Sequence, residues 1–283
     1  MTDIRTLAVI GAGQMGRGIA QVAAQSGLEV MLLDIDLAHA NQGRDRLGKD
    51  LGRLVDKGKM PSATRDEILA KITPQPDMAG LKRADFVIEA ATEERRLKER
   101  ILRDADASMK ADAVLASNTS SLSLTQLASC TKRPHAVIGM HFMNPVPLME
   151  LVEIIRALQT SDATYVVTKS LAERWGKTVI SAKDSPGFVV NRMLIPFLNE
   201  ACFVLQEGLA TPEDIDKGAR LGLHHPMGPL ELADLVGLDT CLYITEILHR
   251  ELGDDKYRPA TLLRNYVAAG WHGRKTGRGF YTY

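Results

Sequence analysis

Two residues twelve positions apart offer proton chemistry, His141 and Glu153. An apolar approach through Val137 and Ile138 delivers His141 into Phe142-Met143-Asn144-Pro145-Val146-Pro147, and a second apolar run, Leu151 to Ile155, carries Glu153. The two prolines can continue neither a helix nor a central strand, so His141 is expected at a strand's end. Open α/β sheets place their ligands there. Glu153 falls on a strand that should be largely buried, where a carboxylate needs a partner, and His141 is the nearest candidate. A carboxylate holding one imidazole nitrogen sets the tautomer and leaves the other nitrogen to exchange a proton near neutral pH. The pair therefore reads as a base and its orienter; from these two residues alone, a satisfied core pair is the alternative.

A second constellation stands at the amino-terminal end. Leu7 to Ile10 is a buried-strand pattern that runs directly into Gly11-Ala12-Gly13-Gln14-Met15-Gly16. Gly11 suits the tight turn, Gly13 the approach of backbone to a pyrophosphate, and Gly16 the packing of the next helix on the sheet. That helix, Gln14 to Ser26, presents its amino end to phosphate. A following strand, Val30 to Leu33, ends at Asp34, close to where an acid accepts the adenosine ribose hydroxyls and repels a 2′-phosphate. The pattern predicts NAD rather than NADP.

Other candidates are less specific. The strand Phe86 to Ile88 leads to Glu89-Ala90-Ala91-Thr92-Glu93, which puts Glu93 on the cofactor side of the sheet with Lys98 a turn into the next helix; both could equally be solvated charges. The strand Val114 to Ala116 leads to Ser117-Asn118-Thr119-Ser120-Ser121, small polar residues that could cap a helix or hydrogen-bond a nicotinamide or substrate oxygen, a use that suits the Asn118 amide. Arg53 and Lys57 share a face of a long charged helix and could hold a phosphorylated or acidic substrate, although such runs are usually a solvated face. Asn191 follows a Ser185-Pro186-Gly187 linker, where its amide could face the mouth of a first domain.

The chain has 283 residues, 45% of them hydrophobic and 25% charged, with 35 basic side chains against 35 acidic ones. That is an ordinary globular composition with no overall pull toward nucleic acid or an anionic membrane. No apolar run approaches spanning length, and no signal-peptide architecture is evident. Cys130, Cys202 and Cys241 lack disulfide or metal-ligand spacing and read as small buried residues in a reducing compartment, and His224-His225 lacks a third clustered ligand. No metal site is expected, and the location expected is cytoplasmic.

Along the chain, strands alternate with helices: Leu37 to Gly58, a short helix ending at Lys71 with Thr64 and Glu67 as a capping box, a turn at Pro74 and Pro76, Glu94 to Met109, Ala163 to Trp175, and a last strand at Thr178 to Ile180. Beyond residue 184 only helical patterns follow: Phe188 to Gln206, Thr211 to Leu221, Leu230 to Leu252 and Ala260 to Ala269. The expected architecture is a Rossmann-like, mostly parallel α/β domain over 1–184 and an all-helical domain over 185–283. The basic tail from Gly273 to Tyr281 has no function derivable from composition.

Taken together, Gly11-Ala12-Gly13-Gln14-Met15-Gly16, Ser117 to Leu122, His141 to Pro147, Asp184 to Arg192 and Pro226-Met227-Gly228-Pro229 resemble the L-3-hydroxyacyl-CoA dehydrogenase family, in the family's order and over the whole chain. The resemblance implies an NAD-dependent oxidoreductase in which His141 is the general base, Glu153 its partner, and Ser120 and Asn191 donors to the substrate oxygen. It sets Gly11, Gly13, Gln14, Met15, Gly16, Asp34, Ala90, Glu93, Lys98 and Asn118 along the cofactor, and Ser120, Asn144, Arg53 and Lys57 along an acyl-CoA. It also implies a homodimer through the helical domain, which would share in the substrate cleft. Two rival readings are a dehydrogenase of a free hydroxy acid or sugar acid on the same scaffold, and a non-catalytic NAD-binding protein of the crystallin kind. The paired cations at 53 and 57 weigh against the first, and an intact His141 and Glu153 against the second.

Overall fold

A computed structural model describes residues 4–283, which divide into two compact units, the first reaching Ser185 and the second spanning Pro186–Tyr283. The first is a single eight-stranded sheet flanked by helices. Its strands are β1 Thr6–Ile10, β2 Glu29–Leu33, β3 Ile72–Pro74, β4 Phe86–Glu89, β5 Val114–Ser117, β6 Val137–Phe142, β7 Leu151–Arg156 and β8 Thr178–Lys183, lying in the order β3-β2-β1-β4-β5-β6-β7-β8. Every neighbouring pair is parallel except β6 and β7. Leu7, Val9, Leu32, Phe86, Ile88 and Leu115 are almost fully buried, as expected of parallel strands covered on both faces.

Two features of this order position chemistry. After β1 the chain first adds strands on one side and then crosses to β4 on the other, so the loops leaving the paired carboxyl ends of β1 and β4 diverge around the crevice where such sheets take ligands. Gly11 N donates to Leu33 O and Ala90 N to Ile10 O, at 2.8 and 2.7 Å, which stitches the mouth of that crevice. The second feature is the reversal at β7. Because β7 runs back along β6, His141 and Glu153 become direct cross-strand neighbours.

The helices of this unit are α1 Gln14–Gln25, α2 Leu37–Asp56, α3 Ser62–Ala70, α4 Arg95–Ser108, α5 Leu124–Ser129 and α6 Asp162–Arg174. Asp36, Glu94, Ser123 and Ser161 accept from first-turn backbone N–H groups and so begin α2, α4, α5 and α6. The capping box expected at Thr64 and Glu67 does not form: α3 starts at Ser62 behind Pro61, with Thr64 already inside the helix. The turn expected at Pro74 is also corrected, because Pro74 ends β3 at the sheet's edge, where a missing N–H leaves no ladder bond unmade.

The second unit holds α7 Val190–Gln206, α8 Pro212–Gly222, α9 Pro229–Val236, α10 Leu238–Leu252 and α11 Thr261–Ala268, packed around Ile195, Leu198, Leu230, Leu238, Ile244 and Leu248. The single helix expected from Leu230 to Leu252 is broken at Gly237, whose φ of 102° lies outside helical space. The tail acquires a structural role: Phe280 N and Tyr281 N donate to Asp234 at 2.9 Å, and the Tyr281 hydroxyl to Asp216 at 2.8 Å. Burial pushes the Asp234 carboxyl up, against the bonds from the tail. Cys202 and Cys241 are buried as expected, whereas Cys130 is half-buried; all three are free thiols. No helix among the described residues is long and apolar enough to cross a membrane.

Candidate functional site

The cofactor end is built from the turn after β1. Its three glycines do different things. A side chain at Gly11 would stand 2.5 Å from Ala90 O, and one at Gly16 would stand 1.7 Å from Gly11 O, so both positions are closed by backbone. At Gly13 nothing lies within 4 Å of where a Cβ would be, which leaves room for a phosphate at the amino end of α1. A cavity of about 680 Å³ opens beside this turn, lined by Gly11, Gly13, Asp34, Asp77, Ala90 and Ile101 among others. Asp34 is more than a surface acid there: its Oδ2 accepts from Ala12 N at 2.6 Å and its Oδ1 from Ile35 N at 2.7 Å, so it braces the turn while leaving acceptor capacity on each oxygen for a ribose. These residues fit a dinucleotide: space at the pyrophosphate position, a helix amino terminus behind it and a carboxylate at the end of β2.

Next to this crevice lies a buried charge cluster that the sequence reading saw only in part. Lys98 is 1% exposed, and its ammonium is directed at Glu89 Oε1 (2.7 Å), Ala91 O (3.1 Å) and Glu93 Oε2 (3.3 Å). Three acceptors match its three N–H bonds, so the alternative of a solvated charge is removed, and in this structure Lys98 faces protein. Glu89, also fully buried, accepts in addition from Ser117 Oγ at 2.5 Å and Ala91 N at 2.6 Å. Sequence reasoning missed Glu89. The signal was present, because a carboxylate closing the apolar strand β4 needs a partner for the reason Glu153 does.

Glu93 organises the loop that carries Ser120. Its Oε1 accepts from Thr119 Oγ1 (2.6 Å), Ser120 N (2.9 Å), Ser121 Oγ (2.9 Å), Ser121 N (3.1 Å) and, most weakly, Ser120 Oγ (3.3 Å). Five donors crowd one oxygen, so the longest bond is the cheapest to exchange for a bond to a ligand. Burial pushes the Glu93 carboxyl up, but the Lys98 ammonium and the donors of Thr119, Ser120 and Ser121 outweigh it and hold the group below the usual carboxylate range. From the other side, Asp184 accepts from Ser123 Oγ, Leu124 N and Thr125 N at 2.7, 3.0 and 2.7 Å, seating the loop's downstream end. Capping thus accounts for Ser123, while Thr119 to Ser121 are held by Glu93.

His141 is buried near the end of β6, and its Nδ1 lies 2.7 Å from Oε2 of Glu153, which is fully buried on β7. With Nδ1 engaged by the carboxylate, proton exchange with a ligand must run through Nε2. Asn118 Oδ1 accepts from Phe142 N at 2.9 Å, tying the end of β5 to the residue after His141. Its carbonyl oxygen therefore has a protein partner, and its amide nitrogen is the donor that could meet a nicotinamide. The segment after His141 returns to the cofactor turn, where Gln14 Nε2 donates to Asn144 Oδ1 at 2.9 Å. Met15 packs against the main core, and Ala90 lines the crevice.

A second cavity, of about 320 Å³, lies among α1, α2 and this segment, lined by Gln14, Gly18, Leu51, Leu54, Asn144 and Leu148 among others. Arg53, near the carboxyl end of α2, pairs with Asp50 at 3.1 Å on a well-exposed surface, and Lys57 caps that helix. Asn191 stands in the first turn of α7, in the second unit. No cluster of three or more metal-ligating side chains occurs among the described residues.

Comparison with known proteins gives this geometry its family. A family model described as the NAD binding domain of 3-hydroxyacyl-CoA dehydrogenase matches residues 6–185, and one described as the C-terminal domain matches residues 187–283. A 3-hydroxybutyryl-CoA dehydrogenase of Bradyrhizobium diazoefficiens is 49% identical over 280 residues, covering 99% of this chain and 96% of the relative. One of Mycobacterium tuberculosis is 44% identical over 286 residues, the whole of both chains. The crystal structure of an (S)-3-hydroxybutyryl-CoA dehydrogenase from Ralstonia eutropha superposes with a TM-score of 0.96 at 52% identity, covering 99% of each chain. The cofactor crevice, the His141–Glu153 pair and the ordered serine loop thus sit in a chain that belongs to the 3-hydroxyacyl-CoA dehydrogenase family, NAD-dependent oxidoreductases.

Proposed function

We propose that this protein interconverts (S)-3-hydroxyacyl-CoA and 3-oxoacyl-CoA, with 3-hydroxybutyryl-CoA and acetoacetyl-CoA as its pair, and that His141 is the general acid and base. The observation that carries the reading is the 2.7 Å contact between His141 Nδ1 and the buried Glu153 carboxylate, on the sheet edge that also presents the cofactor turn. An alcohol is too weak an acid to release its proton unaided near neutral pH, so a positioned base must take it as hydride leaves. Glu153 holds the ring in the tautomer whose Nε2 accepts that proton and stabilises the imidazolium that results. In the reverse direction the same Nε2 returns the proton to the oxygen.

The nicotinamide supplies the hydride chemistry at C3 of the substrate. The chain supplies the proton, the orientation and the donors. Ser120, placed by Glu93, is the proposed donor to the substrate oxygen, exchanging its weak bond to Glu93 for that contact. Asn191 is proposed as a second donor on the strength of its motif. Gly11, Gly13, Gln14, Met15, Gly16, Asp34, Ala90, Glu93 and Asn118 are proposed along the cofactor, with Lys98 supporting Glu93 from beneath. Asn144, with Arg53 and Lys57, is proposed along the acyl-CoA; the cavity joining Asn144 to α2 supports this route. Exposed Met193, Leu209, Leu221 and Leu223 support a homodimer formed through the helical unit. The free thiols suit a reducing cytoplasm.

The test is a rate panel: NADH oxidation with 3-oxoacyl-CoAs of increasing chain length, with free acetoacetate, and again with NADPH. Turnover that peaks at acetoacetyl-CoA with NADH is the expected result. A preference for the free acid would replace the substrate assignment, and NADH binding without turnover of any thioester would refute the reading.

A further inference from the structure

Lys177 is a lysine that should not be buried. It begins the approach to β8, outside every residue assigned to the reaction, yet it is 8% exposed. Its ammonium donates to Val146 O and to Met149 O, both at 2.7 Å, and Glu150 is the nearby counter-charge. Those carbonyls belong to the segment between His141 on β6 and Glu153 on β7. Charged donors to backbone carbonyls are among the stronger hydrogen bonds, and a buried ammonium without them would be costly, so the lysine and the segment hold each other. Thr178 N adds a bond to Glu150 O at 2.8 Å, which fixes the same segment at the start of the β7–β8 ladder.

From the opposite side the segment is pressed by α1. A Cβ at Gly18 would stand 2.8 Å from the Val146 Cβ, so only glycine lets the helix approach this closely. Val146 is therefore clamped between Gly18 and the Lys177 ammonium, and is itself buried. Asn144, Pro147 and Leu148 line the 320 Å³ cavity opposite Leu51 and Leu54 of α2. What Lys177 fixes is thus one wall of the cavity assigned above to the thioester.

We propose that Lys177 is a positioning residue for substrate binding: it holds the 143–150 segment as a fixed wall of the acyl-CoA groove. The inference rests on the acyl-CoA reading of that cavity. It assigns the residue to affinity for the oxo substrate, with proton transfer and NADH binding left to other groups.

The experiment compares Lys177→Met, Lys177→Arg and Gly18→Ala with the wild type, measuring kcat, KM for acetoacetyl-CoA, NADH affinity by fluorescence and thermal midpoint. Met keeps the chain length but loses both donors; Arg restores donors; the Gly18 variant displaces the same wall from the other side. Expected are a KM raised about tenfold or more by Met, equivalent to ~1.4 kcal/mol of substrate binding, partial recovery with Arg, and a similar selective rise for Gly18→Ala. kcat should stay within about threefold and NADH affinity within about twofold, changes below a single tenfold step. An unchanged KM, a loss confined to kcat, or NADH affinity weakening in step with KM would overturn the proposal. Should the wild type prefer a free oxo acid, the acyl-CoA reading fails by that result alone, and the Lys177 effect is then read on the preferred substrate.

Discussion

Glu153→Gln tests the site's central claim with the least change of shape. Glu153 is fully buried and 2.7 Å from His141 Nδ1, and Gln fills the same volume. In the ground state a neutral imidazole loses a charge-assisted bond; as the ring becomes imidazolium, the missing carboxylate matters most. Hydrogen bonds to charged groups contribute about 1.5–3 kcal/mol, so this loss alone slows the step about 10- to 150-fold. The Gln amide can also donate to Nδ1, which moves the ring proton to Nε2 and removes the base from the neutral form. The combined expectation is a kcat lower by about 10²–10⁴, the span of general acid–base help. Stopped-flow and steady-state rates should be taken in both directions, because a catalyst cannot shift the equilibrium and kcat/KM must fall equally in each. NADH affinity should hold and the near-UV circular dichroism should match the wild type. Turnover within about threefold of wild type, far short of the span of general acid–base help, would refute the assignment of Glu153 as orienter, and with it the reading of His141 as the poised base.

Asp34→Asn should relax the preference for NADH over NADPH while keeping an acceptor for Ala12 N, whereas Asp34→Ala should weaken both cofactors by roughly tenfold or more through loss of that 2.6 Å brace; an unchanged NADH/NADPH ratio in the Asn variant would move the selectivity elsewhere. Replacing Arg53 and Lys57 together by Ala should raise KM for acetoacetyl-CoA far more than for the pantetheine thioester, since only the former carries the phosphates, and equal effects would undo the coenzyme A assignment. Glu93 is held below its ordinary value of 4.5, so the stability it contributes is complete above that pH and is lost as the pH falls through the lowered folded value. Glu93→Gln should therefore flatten the acid side of the thermal midpoint against pH; an unaltered acid limb would mean another carboxylate carries it.

Much of the scaffold was readable from residues alone because local order carried it. Apolar runs of three to five residues, leading into glycine, small polar or acidic residues, mark strands of a mostly parallel sheet, and the turn Gly11 to Gly16 has little freedom once a strand precedes it and a helix follows. His141 and Glu153 were paired on sequence grounds, but the antiparallel register that sets them directly opposite each other is a property of the assembled sheet. The break at Gly237 was not readable, since the apolar pattern continues through it and only the packing of α9 and α10 about their common core requires the bend. Pro74 was misread as a turn because a proline in a strand is permitted only at an edge, and edges are defined by the assembled sheet.

The charged residues divide along the same line. From type and spacing, Lys98 and Glu93 could have been solvent-facing, ligand-facing or buried, and the need of Glu89 for a partner does not by itself say which cation meets it. Their state depends on Ser117 to Ser121, some twenty or more positions away, being folded against them so that each buried charge meets a counter-charge and enough donors to offset desolvation. Lys177 is the same case: its burial depends on two carbonyls supplied by a distant segment. Residue types and their spacing determined which chemistry this chain is equipped for, because proton affinity and backbone freedom are local properties. Which groups meet, and which charges are withdrawn from water, was decided by tertiary structure, because those energies depend on neighbours that only the folded chain brings together.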